Sequence, residues 1–206
     1  MKTNYTGFSK FLKHITKYAP LTEEEAEFAR NHFPIKKYSK NEVFFKEGNT
    51  ARSIAFVIEG CVRLFYSVDG NEKTAYFYTE GKFFCANESF ARNTSARENF
   101  QALESTTIML FPKSLGDELF ETFPNFEMVE RLALIDELIT NNRIIESFVS
   151  KSPEERYIEL LKTNKELFQR VHQQYIASYL GISPQSLSRI RKRITKNSSQ
   201  AVINLS

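Results

Sequence analysis

The rhythm of apolar positions changes three times along the chain. Near the N-terminus Phe8, Phe11, Leu12 and Ile15 fall at i, i+3, i+4 and i+7, which predicts an amphipathic helix packing on the body of the protein. A second helix is predicted from Thr22, with Glu25 three residues on as its capping-box partner, to about His32, before Pro34. From Ile35 to Phe111 the pattern becomes short β-type runs: Glu42–Lys46, Ile54–Glu59, Cys61–Ser67, Thr74–Thr79, Phe100–Glu104 and Thr107–Phe111. Glycine turn signals at Gly48, Gly60, Gly70 and Gly81 separate them, and Asp69-Gly70 is a hairpin signal. Many short strands with regular turns predict an antiparallel sandwich or barrel.

After Pro112 the helical period returns. Pro124 to Val149 is the longest candidate, with one stripe through Met128, Leu132, Ile135, Ile139 and Asn142 and another through Leu134, Leu138, Ile145 and Phe148. A helix with two apolar faces needs two partners. One face can cover the barrel. The other can meet a second copy as a coiled coil with Asn142 as its polar register residue, or both can pack within one chain. Ser152-Pro153 restarts a helix, with Glu155 closing another capping box. The break before it is the natural hinge. The boundaries expected are 1–123, 124–151 and 152–206.

The run from Gln173 to Ile194 reads as a helix-turn-helix. Ile176, Ala177 and Leu180 make one apolar face, Gly181 stops that helix, and Ser183-Pro184 opens the next. Leu187, Ile190 and Ile194 form its buried stripe. Outside are donors, acceptors and cations suited to a DNA major groove: Ser183, Pro184, Gln185, Ser186, Ser188, Arg189, Lys192 and Arg193. The alternative is a packed helix pair with a solvated basic face.

Charge sharpens this picture. The 206 residues carry a net +3. From Leu167 onward there are six Lys and Arg and no Asp or Glu, leaving 22 basic against 25 acidic residues upstream. A basic end on an acidic body is the footprint of a phosphate-binding surface. No run of about 18 apolar residues is present, and the N-terminus lacks a secretory apolar core, so a cytoplasmic chain without membrane attachment is expected. Two cysteines give no disulfide framework and too few ligands for an iron–sulfur cluster. His14, His32, His172 or a cysteine leave haem ligation open as an alternative, but three scattered histidines are more often structural or solvated, and no metal site is expected. An enzyme on a cupin-like barrel would need converging histidine and acid ligands, yet the segment from Ile35 to Phe111 has no histidine.

The order of a glycine-punctuated β-roll, a long helix, a hinge and a helix-turn-helix resembles the Crp–Fnr superfamily of bacterial transcription regulators. The resemblance rests on VFFKEG (Val43–Gly48), FVIEGCVRLF (Phe56–Phe65), the Asp69-Gly70 turn, TEGKFF (Thr79–Phe84) and IASYLGISPQSLSRIRKRI. It implies an α+β chain: an N-terminal jelly-roll of cyclic-nucleotide-binding type with flanking helices, a long dimerisation helix and a C-terminal winged helix-turn-helix. It implies a homodimer on double-stranded DNA, with RNA polymerase as a candidate further partner and Ser183–Lys196 as recognition helix. Gln185 stands where the family often has an acid, so the preferred half-site should differ.

The sensor departs from the family pattern. Cys85-Ala86 replaces the Gly-Glu pair that holds the ribose, and Ala96, with Arg97 beside it, replaces the phosphate-binding arginine. Cyclic AMP is therefore not the expected ligand, and no cofactor is assigned. Cys85, Asn87, Glu88, Arg92, Arg97 and Asn99 are candidate contacts for another small effector, or loop residues around a collapsed pocket. Two regulator readings stay open: a sensor of some other ligand, and a constitutive DNA binder whose roll is only a dimerisation platform.

Overall fold

The computed structural model describes residues 2–203, with side chains for 7–116 and 118–195. It divides into two compact units, Met1–Tyr66 with Tyr76–Asn142, and Ser67–Ala75 with Arg143–Ser206.

The first unit is a β-roll wrapped by helices. Strands β1 (Ile35–Tyr38), β2 (Val43–Phe45), β3 (Ser53–Glu59), β4 (Val62–Val68), β5 (Asn71–Tyr78), β6 (Phe83–Phe84), β7 (Asn99–Ala102) and β8 (Thr106–Pro112) form two four-stranded sheets, ordered β1-β8-β3-β6 and β2-β7-β4-β5. β3 pairs antiparallel with β8, Phe56 opposite Met109, and its register shifts between Val57 and Glu59. β1 lies outside the predicted strands because Ile35-Lys36-Lys37-Tyr38 spaces its apolar residues by three rather than alternating them. The predicted hairpin forms, with positive φ at both Asp69 and Gly70, the requirement of a tight I′-type turn. Gly60 is tied to the roll more strictly: its φ is +106°, and a Cβ there would stand 2.7 Å from Thr106 Cα.

Strand β3 is apolar on both faces because both are covered. Phe56 and Ile58 face helices α1 (Lys2–Ile15) and α2 (Glu23–His32), while Ala55 and Val57 face the roll interior. The predicted N-terminal helix does pack on the body: Phe8, Phe11 and Ile15 are buried, and the Phe11 ring meets Phe56 edge-on at 5.3 Å. Each such burial is worth about 1.5–3 kcal/mol. The α2 capping box is complete, with Glu25 N–H donating to Thr22 Oγ1 and Thr22 N–H to Glu25 Oε2. Arg63 is fully buried on β4, and its Nε and Nη2 donate to Gln101 Oε1 on β7. Between β6 and β7 lies α3 (Asn87–Arg92); after β8 come a 3-10 turn at Lys113–Leu115, α4 (Gly116–Thr122) and α5 (Pro124–Ser150).

The second unit holds the end of α5, then α6 (Pro153–Thr163), α7 (Leu167–Arg170), α8 (Gln173–Tyr179) and α9 (Pro184–Ile203). The capping box of α6 forms as predicted, around Ser152 and Glu155. Tyr157, Leu160, Leu167, Ile176, Leu180, Leu187 and Ile190 are its buried core, and Ala177 is fully buried in the α8 wall of that core. The tip of the β4–β5 hairpin joins this unit, with Thr74 N–H donating to Ser178 Oγ at 2.9 Å. The expected wing, a strand pair after the recognition helix, is not found among the described residues. Instead α9 continues to Ile203, because no glycine or proline in 196–203 breaks it.

Candidate functional site

The turn between α8 and α9 is built from local chemistry. Ile182 N–H donates to Ala177 O and Gly181 N–H to Ser178 O, both at 3.0 Å, which is a Schellman closure around Gly181 at φ +71°. Ser183 then caps α9, accepting from Ser186 N–H at 3.2 Å. The Ser186 hydroxyl is 3.0 Å from that of Ser183, so Ser186 serves the cap and is half-buried. Leu187 and Ile190 point into the core and Ile194 is half-buried beside them. At about 100° per residue, Gln185, Ser188, Arg189 and Lys192 lie on the opposite side, and all four are exposed. Pro184 and Ser183 are exposed at the leading end of the same helix. Arg193 stands apart from that face: its Nη2 pairs with Glu154 Oε2 on α6 at 3.1 Å. The side chain of Lys196 lies outside the described residues.

Arg156 is a positioning residue that sequence reasoning missed. Its Nη1 donates to Lys151 O at 2.7 Å and its Nη2 to Leu180 O at 2.9 Å. The guanidinium also lies over the Phe148 ring, 4.5 Å from its centroid. One side chain thus ties the end of α5, the hinge and the helix-turn-helix turn. The motif gives no signal for it, since its partners are backbone carbonyls.

Helix α5 carries an exposed apolar row. Leu138, Ile145 and Val149 are 60%, 62% and 83% exposed, and Ile135 and Asn142 lie with them. Ile135, Leu138, Asn142, Ile145 and Val149 have heptad spacing, so the exposed row draws on both predicted stripes. Of the predicted seam, Met128, Ile135, Ile139 and Asn142 are exposed, whereas Leu132 is half-buried and drops out. The shift follows from packing: Phe126 and Val129 anchor the helix to the roll and rotate the free face toward Leu138.

The six candidate effector contacts, which lie in the cassette formed by residues 85–99, are not brought to one place. Asn99 is buried on β7, accepting from Glu47 N–H at 3.0 Å. Glu88 and Arg92 pair with each other on the surface of α3 at 3.0 Å. Arg97 is exposed, while its neighbour Ala96 is buried and bonded through its backbone to Gly48 and Asn49. The roll interior beside Ala96 is aromatic, with Phe84 and Phe100 centroids 5.0 Å apart and Tyr78 5.2 Å from Phe84. Only Cys85 and Asn87 share a wall, near Glu137 of α5. Cys85 Sγ donates to Ser53 O at 3.5 Å, and burial pushes its pKa up to about 12. Asn87 Nδ2 donates to Glu137 Oε1 at 3.3 Å, and burial raises the Glu137 carboxyl from its ordinary value. The three histidines lie in three separate settings: His14 against Gly81, His32 stacked on Phe28, and His172 before α8.

Residues 35–123 match the cyclic nucleotide-binding domain family. Electron transport regulator A of Shewanella oneidensis is 23% identical over 174 residues, 79% of this chain and 69% of that protein. Among solved structures, a CooA mutant from Carboxydothermus hydrogenoformans superposes with a TM-score of 0.68 at 22% identity, covering 85% of this chain and 81% of that one. A transcriptional regulator of the Crp/Fnr family from Eubacterium rectale gives 0.67 at 14% identity, covering 88% of each chain. No helix among the described residues is long and apolar enough to cross a membrane. The domain match at residues 35–123 and these superpositions show that the chain shares the fold of these solved structures, a cyclic nucleotide-binding-type roll followed by a long helix and a helical C-terminal unit.

Proposed function

We propose that this chain is a sequence-specific DNA-binding transcription regulator acting as a homodimer. The observation that carries the reading is the outward face of α9, where Gln185, Ser188, Arg189 and Lys192 stand opposite the buried stripe on a helix fixed by a Schellman turn and a serine cap. Arg189 is the candidate base reader, Gln185 offers an adenine-type bidentate pair, and Lys192 meets phosphate. The exposed row of α5 supplies the dimer seam, and two recognition helices about 34 Å apart would enter successive major grooves. In this reading 1–123 is the sensor, 124–151 the dimer helix and hinge, and 152–206 the DNA-binding domain. The cytoplasm is its compartment and RNA polymerase a further partner.

Selection of bound duplexes from a random library tests the output, followed by anisotropy on the winning sequence. Arg189→Ala should change base preference, while Lys192→Ala should weaken all sequences alike and flatten the salt slope. Equal losses at every site for both variants refute the assignment.

For the input, the buried methyl of Ala96 and the outward Arg97 support a ligand other than cyclic AMP, since a buried cyclic phosphate there would lack a cation. Micromolar cyclic AMP or cyclic GMP binding by calorimetry, abolished by Arg97→Ala, would overturn this. The aromatic filling of the roll favours a second reading, in which the sensor fold is only a dimerisation platform. A metabolite thermal-shift screen with no response, alongside tight DNA binding by the free dimer, would decide for the platform.

A further inference from the structure

Outside the filled roll interior, the first unit contains a cleft of about 280 Å3. It opens where the edge strand β6 meets the cassette, α4 and α5, and its apolar walls include Phe84, Phe90, Phe111, Phe120, Val129 and Ala133. Protein interiors leave few voids larger than a water molecule. An apolar cavity of about 150 Å3 already admits benzene, so this one has room for a bicyclic ring. Apolar walls with a few convergent polar groups are the general character of small-molecule sites.

The polar groups select the ligand by charge. Glu130 and Glu137, two turns apart on α5, both line the cleft, and burial raises both carboxyls from their ordinary values, with Glu127 adding to the effect at Glu130. Lys113 also lines it, but its ammonium is committed to the end of α3. It donates to the Phe90 and Ala91 carbonyls and to Asn93 Oδ1, and lies 5.0 Å from the Phe90 ring centroid. An anion in the cleft would face two carboxylates, while Lys113, the only cation among its described lining residues, is already engaged. An ammonium would gain charge-assisted hydrogen bonds, roughly twice as strong as neutral ones.

We propose that this cleft binds an apolar amine, with its ring or short chain between the phenylalanines and its ammonium against Glu137 and Glu130. The ligand would touch the cassette, α4 and α5 together, and its ammonium would compete with Asn87 for Glu137. Its use as a regulatory signal rests on the function proposed above, whereas the site itself does not.

The chain has no tryptophan, so an indole probe excited beyond the tyrosine absorption band can be followed by fluorescence without tryptophan background. Three probes of one ring and different charge are titrated with the full-length protein: tryptamine, indole and indole-3-acetate. Tryptamine emission should shift to the blue and saturate with a Kd below about 1 mM, the lower end of the affinity scale. Indole should bind about tenfold more weakly, the step expected for loss of one charge-assisted hydrogen bond. Indole-3-acetate should not saturate. Glu137→Gln should remove most of the preference for tryptamine over indole. Ala133→Phe should fill the cleft and abolish both, with Ala133→Leu as the milder filling variant and circular dichroism as the fold control. No saturable tryptamine shift, indole or indole-3-acetate binding as tight as tryptamine, or tryptamine binding unchanged in Glu137→Gln and the filling variants would each overturn the proposal. Anisotropy in the same samples tests the regulator reading separately: a chain that binds tryptamine and no DNA upholds the site and refutes the regulator.

Discussion

Replacing Arg156 with methionine removes the clamp on the helix-turn-helix while keeping most of the side-chain volume. Two hydrogen bonds are lost, from Nη1 to Lys151 O at 2.7 Å and from Nη2 to Leu180 O at 2.9 Å. Hydrogen bonds to a charged group are worth about 1.5–3 kcal/mol each. The contact with the Phe148 ring adds about 0.5–2 kcal/mol. Freeing the side chain returns roughly 2 kcal/mol of rotamer entropy. The contributions are not additive, and the half-buried site is partly screened, so the net loss should be about 2–4 kcal/mol. Arg156→Lys keeps the charge near the end of α8 but cannot fork between two carbonyls, and should lose about half as much. A chain of two units need not unfold in one step, so the measurement is native-state hydrogen exchange of the α8 and α9 amides. Their opening free energy should fall by the stated amount, while β3 and β8 amides in the roll hold theirs. A fall below about 0.5 kcal/mol, or an equal fall in the roll, would refute the clamp.

Other expectations follow from single residues. Gly181→Ala should destabilise the second unit by about 1–2 kcal/mol, from the left-handed backbone plus a Cβ 3.1 Å from the Phe148 ring, whereas Gly70→Ala, with φ +74° in open space, should lose only the backbone part, about 1 kcal/mol. Equal losses in thermal unfolding would show that Phe148 yields freely. Leu138→Glu with Ile145→Glu should convert a dimer to a monomer by sedimentation, because both replace exposed members of the α5 row; an unchanged dimer would place the seam elsewhere. With its pKa raised to about 12, the Cys85 thiol stays protonated at pH 8 and should react with a thiol reagent far more slowly than a free cysteine; labelling at the free-cysteine rate in the native state would contradict this.

Much of the fold was legible because its punctuation is local. The capping boxes at Thr22 and Ser152, the Asp69-Gly70 hairpin and the Gly181 stop each depend on groups within about five residues, and each appears where the sequence put it. The helix-turn-helix face was legible for the same reason, since Leu187, Ile190 and Ile194 fix which side of α9 is free. β1 and β6 were not legible, as four and two residues are too few to show a period.

Where a side chain's partner is distant in the chain, only the tertiary structure decided. Which α5 residues stay exposed depends on how Phe126 and Val129 seat in the helical core, which leaves Leu132 half-buried and Leu138 exposed. Arg193 was indistinguishable from Arg189 by type, and its pairing with Glu154, 39 positions earlier, separates them. The cassette residues are neighbours in sequence, yet strand and helix geometry sends Asn99 inward, Arg97 outward and Asn87 toward α5. The sequence by itself determined most of the elements, their caps and the exposed face of α9, because backbone hydrogen bonding and helical period are short-range. The clamp at Arg156 and the cleft against Glu130 and Glu137 exist only once packing brings remote segments together, because burial and shape belong to no single segment.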